Sequence, residues 1–175
     1  MVLHDPLVLN FAGTAADLSG AAVAFDLDGD GKRERIPGLG AGTAYLVFDR
    51  NGNGQIDNGA ELFGTGRSET EAADYAQKGT NGFAELATLD SNHDGLISAL
   101  DADFATLKVW VDANGDAVTD DGELKTLADL GIVSISLKTI QSNALDCGCD
   151  GTKVLWRSNV AFSDGSIVSA YDAYL

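Results

Sequence analysis

The chain has 175 residues, 45% of them hydrophobic, which suits one compact domain or two small lobes sharing a core, taken as a single module over residues 1–175. Its 27 Asp and Glu outnumber 11 Lys and Arg, for a net charge of -16 and a pI near 4.1. That charge argues against nucleic acid and anionic membrane as partners and asks for bound cations. No apolar run is long enough to span a membrane, and Met1 to Leu9 lacks the basic start of a signal peptide. Cys147 and Cys149 read as two free thiols in a loop, not a disulfide framework.

In chain order, PLVLNF (6–11) reads as a short buried strand. AAVAFDLD (21–28) and AYLVFDRN (44–51) read as strands running into acidic loops, joined by a flexible Gly38–Gly42 linker. A loop and short helix are expected over 65–79. NGFAELATLD places Phe83, Leu86 and Ala87 at helical spacing, and SALDADFATL does the same for Leu100, Phe104 and Leu107. KVWVD is a short extended piece, and GELKTLADLG is a helix stopped by Gly131. GIVSISLK alternates as a strand, and VLWRSNVAF and SIVSAYDAYL flank the Ser163-Asp164-Gly165 hairpin turn. The expected class is therefore α+β: EF-hand-like helices packed with short antiparallel strands and a C-terminal β-hairpin.

The pattern D-x-[DN]-x-[DN]-G recurs through the chain. Loop one carries Asp26, Asp28 and Asp30; loop two, Asp49, Asn51 and Asn53; loop three, Asp90, Asn92 and Asp94; loop four, Asp112, Asn114 and Asp116. Calcium takes six to eight oxygens, and side chains at positions 1, 3 and 5 of such a loop converge on one point. The position-7 carbonyls belong to Lys32, Gln55, Leu96 and Val118. Position 12 closes the shell with Asp101 in loop three and Glu123 in loop four. Loop two has its acid one place late, at Glu61, with Asp57 at position 9; loop one has Pro37 at position 12 and Glu34 as the substitute. Ile97, at position 8 of loop three, is the residue type that pairs one such loop with another. Asp, Asn and Gly also dominate plain turns, but four loops at this spacing predict about four Ca2+ sites. His93, within loop three, is expected to be solvated, and no Ser/His/Asp constellation assembles around it or His4.

DPLVL, FDLDGDG, LVFDRNGNGQIDNGAELFG, NGFAELATLDSNHDG, LKVWVDANGD and GELKTLADLGI follow one another in this order. So arranged, the chain resembles the self-processing module of FrpC-like RTX proteins, which Gram-negative bacteria export by type I secretion. The resemblance implies a secreted, extracellular parent protein and calcium-dependent cleavage of the Asp5–Pro6 bond. Asp5 would be the nucleophile and Pro6 the leaving group, through an Asp anhydride opened by water or by a lysine of another protein. The rest of a longer polypeptide is the implied partner, and the module is expected to be a monomer. Family members continue from DPLVL into a further DLDGDG run; here Asn10-Phe11-Ala12-Gly13-Thr14 stands instead, without carboxylates. The alternative is a structural calcium module that does not cleave. A dockerin would be much shorter, with two near-identical loops.

Overall fold

The structure is a computed structural model that describes residues 5–12, 16–64, 81–141 and 153–174, with side chains in the last segment from Trp156 to Ala173. The expected loop and helix over 65–79, His4, Gly13, Thr14, Cys147 and Cys149 lie outside the described residues.

Eleven strands are described: β1 Leu7–Asn10, β2 Gly20–Phe25, β3 Glu34–Gly38, β4 Thr43–Val47, β5 Leu96–Ser98, β6 Lys108–Trp110, β7 Leu124–Thr126, β8 Ile132–Ser136, β9 Ile140–Gln141, β10 Lys153–Phe162 and β11 Ile167–Tyr174. Nine form one curled antiparallel sheet in the order β5-β8-β10-β11-β1-β4-β6-β7, with β9 beside β10; β2 and β3 form a separate ribbon. Among the described residues, helix is confined to α1, Gly82–Leu86, and the 3-10 turns Gly59–Glu61 and Ala87–Leu89. No helix among the described residues is long and apolar enough to cross a membrane.

The fold is thus mostly β, and the α+β expectation with EF-hand helices is overturned. The loops sit mainly on strands. Loop one closes the β2–β3 ribbon, with Phe25 opposite Glu34. Loop four closes a β6–β7 hairpin, with Trp110 opposite Leu124 and Val111 N–H donating to Glu123 O at 3.0 Å. A loop whose first and last side chains converge on one point brings its ends together, and a hairpin accepts that geometry as well as a helix pair does. Among the described residues, the one α-helix at a loop is the entry to loop three, capped by Asn81, whose Oδ1 accepts from Ala84 N–H at 3.1 Å, while loop two ends in the 3-10 turn Gly59–Glu61. Phe83 and Leu86 are buried there, but Ala87 is exposed.

The expected helix after loop three is a series of turns. Ile97 pairs with Ile135 of β8, so the chain leaves the loop as a strand. Backbone bonds from Asp101 to Ser98, Phe104 to Asp101 and Thr106 to Asp103 then close turns, and Leu100 is 75% exposed. GELKTLADLG likewise begins as β7 and ends in a single turn, where Gly131, at φ 74°, does stop it. The Gly38–Gly42 segment is a pinned turn, not a flexible linker: Gly40 N–H donates to Asp17 O, Thr43 N–H to Gly40 O and Phe11 N–H to Gly42 O. Strand β3 escaped the sequence reading because Pro37 sits in it, which a two-stranded ribbon tolerates at its edge.

Strand β1 lies inside the sheet between β11 and β4, buried along its whole length. Alternation sends Val8 to one apolar core with Tyr45, Trp110 and Tyr171, and Leu7 and Leu9 to the other with Phe83, Leu86 and Ala170. Burial on both faces accounts for the unbroken apolar run in the sequence.

Candidate functional site

The four loops share one internal wiring. In each, the position-1 carboxylate accepts the position-6 backbone N–H: Asp26 from Gly31 (3.1 Å), Asp49 from Gly54 (2.8 Å), Asp90 from Gly95 (3.0 Å) and Asp112 from Ala117 (3.0 Å). Position 6 is left-handed even where it is not glycine, with Ala117 at φ 56°; position 4 is left-handed too, and His93 takes that role at φ 59° while exposed to solvent. Position-3 oxygens accept from position 5, as Asn51 does from Asn53 N–H (2.9 Å) and Asn92 and Asn114 do from Asp94 and Asp116.

The closing acid accepts backbone N–H groups from positions 2 and 9. Asp101 takes Ser91 and Ser98, both at 2.9 Å; Glu123 takes Ala113 (2.8 Å) and Asp120 (3.1 Å). Glu61, one place late in sequence, takes Arg50 (3.2 Å) and Asp57 (2.8 Å), so it occupies the same place in space. In loop one Glu34 reaches the position-2 N–H of Leu27 at 2.8 Å. The closing acids Glu61, Asp101 and Glu123 are all buried.

In loop one, carboxylate oxygens of Asp26, Asp28 and Glu34 lie within 4.8 Å of one another and could hold a metal ion. Asp26 Oδ1 is buried without a hydrogen-bond partner, and the donor set is all hard oxygen, which fits calcium. Asp30, expected in that group, is instead engaged by Lys32, whose Nζ sits 2.7 Å from its Oδ2 on the exposed side. In loop two Asp57 Oδ2 is held by the amides of Asn51 (3.0 Å) and Asn53 (2.7 Å).

The loops also join one another. Position 8 of loop two, Ile56, donates its N–H to the Thr119 hydroxyl at position 8 of loop four, at 2.9 Å and buried. Gly59 N–H donates to Asp26 O at 2.9 Å, tying loop two to loop one. Loop three stands apart: Ile97 pairs with a strand and not with another loop.

Asp5 and Pro6 lead directly into β1. Asp5 N–H donates to Gly64 O and Leu7 N–H to Phe63 O, while Pro6 O accepts from Ala173 N–H, each at 3.2 Å. The backbone is thereby fixed on both sides of the Asp5–Pro6 bond. Gly64, at φ 86°, has no room for a side chain, since a Cβ would strike the Asp5 carbonyl oxygen. Gly82 is packed closely against the Leu7 side chain and, less tightly, against the same oxygen.

Three acids meet at this bond. Asp5 is 5% exposed and Asp172 fully buried. Burial, and next the Asp172 carboxyl, hold Asp5 well above the usual carboxylate range; Glu85 adds to this, and Asp5's own backbone N–H opposes it. Burial likewise raises Asp172, against the Gly82 N–H that its Oδ1 accepts at 3.4 Å. Glu85 accepts Gly64 N–H at 2.8 Å and pairs with Arg50 at 2.6 Å. Asp172, Glu85, Arg50, Gly64 and Gly82 were all missed in the sequence reading. The one local signal was an Asp set in the apolar alternation SAYDAY.

The SPM domain family matches residues 7–175 of this chain. The iron-regulated protein FrpA of Neisseria meningitidis serogroup C is 45% identical over 139 residues, which is 77% of this chain and 12% of that protein. The match runs from the first residue of β1 to the C-terminal residue, and with a FrpA-type relative at this identity, the chain belongs to the SPM domain family.

Proposed function

We propose that this chain is a calcium-folded module, carried in a longer exported polypeptide, that cuts its own Asp5–Pro6 bond. The observation that carries this reading is the clamp on both sides of that bond, with the Asp5 carboxyl buried beside it. A side-chain oxygen of Asp5 attacks its own main-chain carbonyl carbon and closes a five-membered anhydride, while the Pro6 nitrogen leaves. The fold supplies proximity: a flexible chain would sample this ring closure only rarely. Water opens the anhydride to free the fragment ending at Asp5; a lysine amine opens it to an Asp-Lys isopeptide link.

Asp26, Asp28 and Glu34 would hold one ion, and the matching residues of the other three loops would hold theirs. Calcium, when bound, supplies the positive charge that lets clustered carboxylates pack together, and so links folding to the ion. Such loops stay loose at low cytosolic calcium and fold outside the cell. The loss of carboxylates at Asn10 and the residues after it favours the second reading, a structural calcium module that does not cut.

Intact-mass measurement separates the two. The chain, purified with chelator and then given millimolar calcium, is expected to yield residues 6–175 and to stay whole as Asp5→Ala. A lysine adduct carrying residues 1–5 reports ligation. An unchanged mass after long incubation overturns self-cleavage and leaves the structural reading.

A further inference from the structure

A buried, protonated Asp5 is a poor nucleophile, and the Pro6 nitrogen is a poor leaving group until it gains a proton. The reaction proposed above, on which this inference rests, therefore needs one group that accepts a proton and later gives one back. We propose that Asp172 is that acid–base residue. Its carboxylate takes the proton from the Asp5 carboxyl as Asp5 Oδ bonds to the carbonyl carbon. Its carboxyl then delivers that proton to the Pro6 nitrogen as the C–N bond breaks. The products are the anhydride, a neutral secondary amine at Pro6 and Asp172 again as carboxylate, so one proton moves and none is gained or lost.

The placement carries this assignment. Strand β11 sets Asp172 opposite Leu7, and the next residue, Ala173, donates its N–H to Pro6 O. Asp172 therefore flanks the residue pair whose bond breaks. It projects to the face of Leu7 and Leu9, which belong to an apolar core. One of its oxygens, Oδ1, takes the Gly82 N–H, and Gly82 itself packs against the Asp5 carbonyl oxygen. The other oxygen, Oδ2, is buried with no hydrogen-bond partner. An acid kept for structure would be expected to satisfy both oxygens; here one is left available. Among the described residues, the charged groups around the pair are Glu85 of α1 and its partner Arg50 from loop two. Asp5 and Asp172 both hold protons more tightly than ordinary carboxyls, so a pair with one carboxyl protonated and the other ionised is accessible near neutral pH.

The test compares cleavage rates of the whole chain after calcium addition, by intact mass, with folding checked by circular dichroism. Asp172→Asn is expected to slow cleavage by about 100-fold or more, and Asp172→Glu to recover part of the rate. The wild-type rate is expected to fall on both sides of a pH optimum, because the pair needs one proton and not two or none. The residual reaction of Asp172→Asn should follow a single titration, which a purely structural role would not produce. A cut wild type with an equally fast Asp172→Asn overturns the role of Asp172 and leaves self-cleavage standing; a wild type that stays whole removes both. Should Asp172→Asn fail to fold, the wild-type profile decides: a bell supports the assignment, and a profile without one overturns it.

Discussion

Arg50 Nη2 sits 2.6 Å from Glu85 Oε1, and this ion pair joins loop two to the helix packed over the Asp5–Pro6 bond. Arg50 also donates its backbone N–H to Glu61, the acid that closes loop two. Glu85 in turn holds Gly64 N–H, and Gly64 O holds Asp5 N–H. One residue thus touches both loop two and the chain of bonds ending at Asp5.

Replacing Arg50 by Met keeps an unbranched apolar side chain but removes the guanidinium, which lies over the Phe48 and Phe63 rings, and with it the charge. The pair is partly exposed, so the stability cost should be about 1 kcal/mol or less. Cleavage should suffer more than stability. We expect a rate about tenfold slower at saturating calcium, near 1.4 kcal/mol of barrier, with the calcium-dependent melt little changed. Equal rates in Arg50→Met and wild type would show that loop two reaches the bond only through the fold as a whole.

The raised Asp5 and Asp172 carboxyls predict how stability varies with pH. The folded chain keeps protons that the unfolded chain, with carboxyls near their ordinary value of 3.8, has already released. The stability they contribute is complete below the ordinary carboxylate range and is lost as pH rises toward the raised folded values. Asp172→Asn removes one of these groups. At about pH 8 the variant should be more stable than wild type by on the order of 2 kcal/mol, and the gap should narrow toward about pH 5. Denaturant unfolding of both chains at the two pH values, in saturating calcium, checks this. A variant less stable than wild type at the higher pH would mean that Asp172 is stabilised as an anion.

The loops were legible in sequence because their chemistry is local: positions 1, 3, 5 and 6 lie within one turn of chain, and the spacing is the geometry. Even the displaced Glu61 and Glu34 were readable as substitutes, since few other acids lie within reach. The flanks were not legible. SALDADFATL has helical spacing, but Asp101 is drawn back to Ser91 and Ser98, and Ile97 has already committed the chain to the sheet. Tertiary pairing overrode a short propensity signal, as it does for GELKTLADLG, whose Lys125 in β7 sits opposite Val109 in β6. The surroundings of the Asp5–Pro6 bond were hidden for another reason. Asp5 is recognisable beside Pro6, but Asp172 comes from the far end of the chain, and only the β1–β11 register brings the two together.

Gly64 predicts a steric route to inactivation. A Cβ there would strike the Asp5 carbonyl oxygen and press on Gly82 Cα, and at φ 86° it would also strain the backbone. Gly64→Ala should cost roughly 2 kcal/mol in stability and abolish measurable cleavage in the fraction that remains folded, because the carbonyl under attack has moved. Gly165→Ala is the control: at φ 85° it bears the same backbone strain, but no atom lies within 4 Å of the added carbon. It bears the strain alone, so it should lose less stability than Gly64→Ala and cut at the wild-type rate. Comparable cleavage in the two folded variants would show that the Asp5 carbonyl need not sit where Gly64 holds it.

Trp110 offers a direct optical reading of loop four. It is buried, with its ring against Phe25 and Tyr45 at centroid distances of 5.7 and 5.9 Å. Its indole N–H points at Glu123 Oε2 from 3.4 Å. Glu123 is the closing acid of the loop, so an ion drawing on its oxygens changes what the indole sees. Trp156, half-buried on β10, would blur the signal, and Trp156→Phe removes it. In that background, emission is expected to change saturably with calcium. Glu123→Gln keeps the side-chain length and an oxygen but loses the charge and the two-oxygen grip, so its response should move to about tenfold more calcium or vanish. The same substitution should leave the Ile56–Thr119 contact in place, so loop two and its link to the cleavage site should still respond. Emission that stays flat while calcium still raises the melting temperature would assign the binding to the other loops and remove loop four from the set.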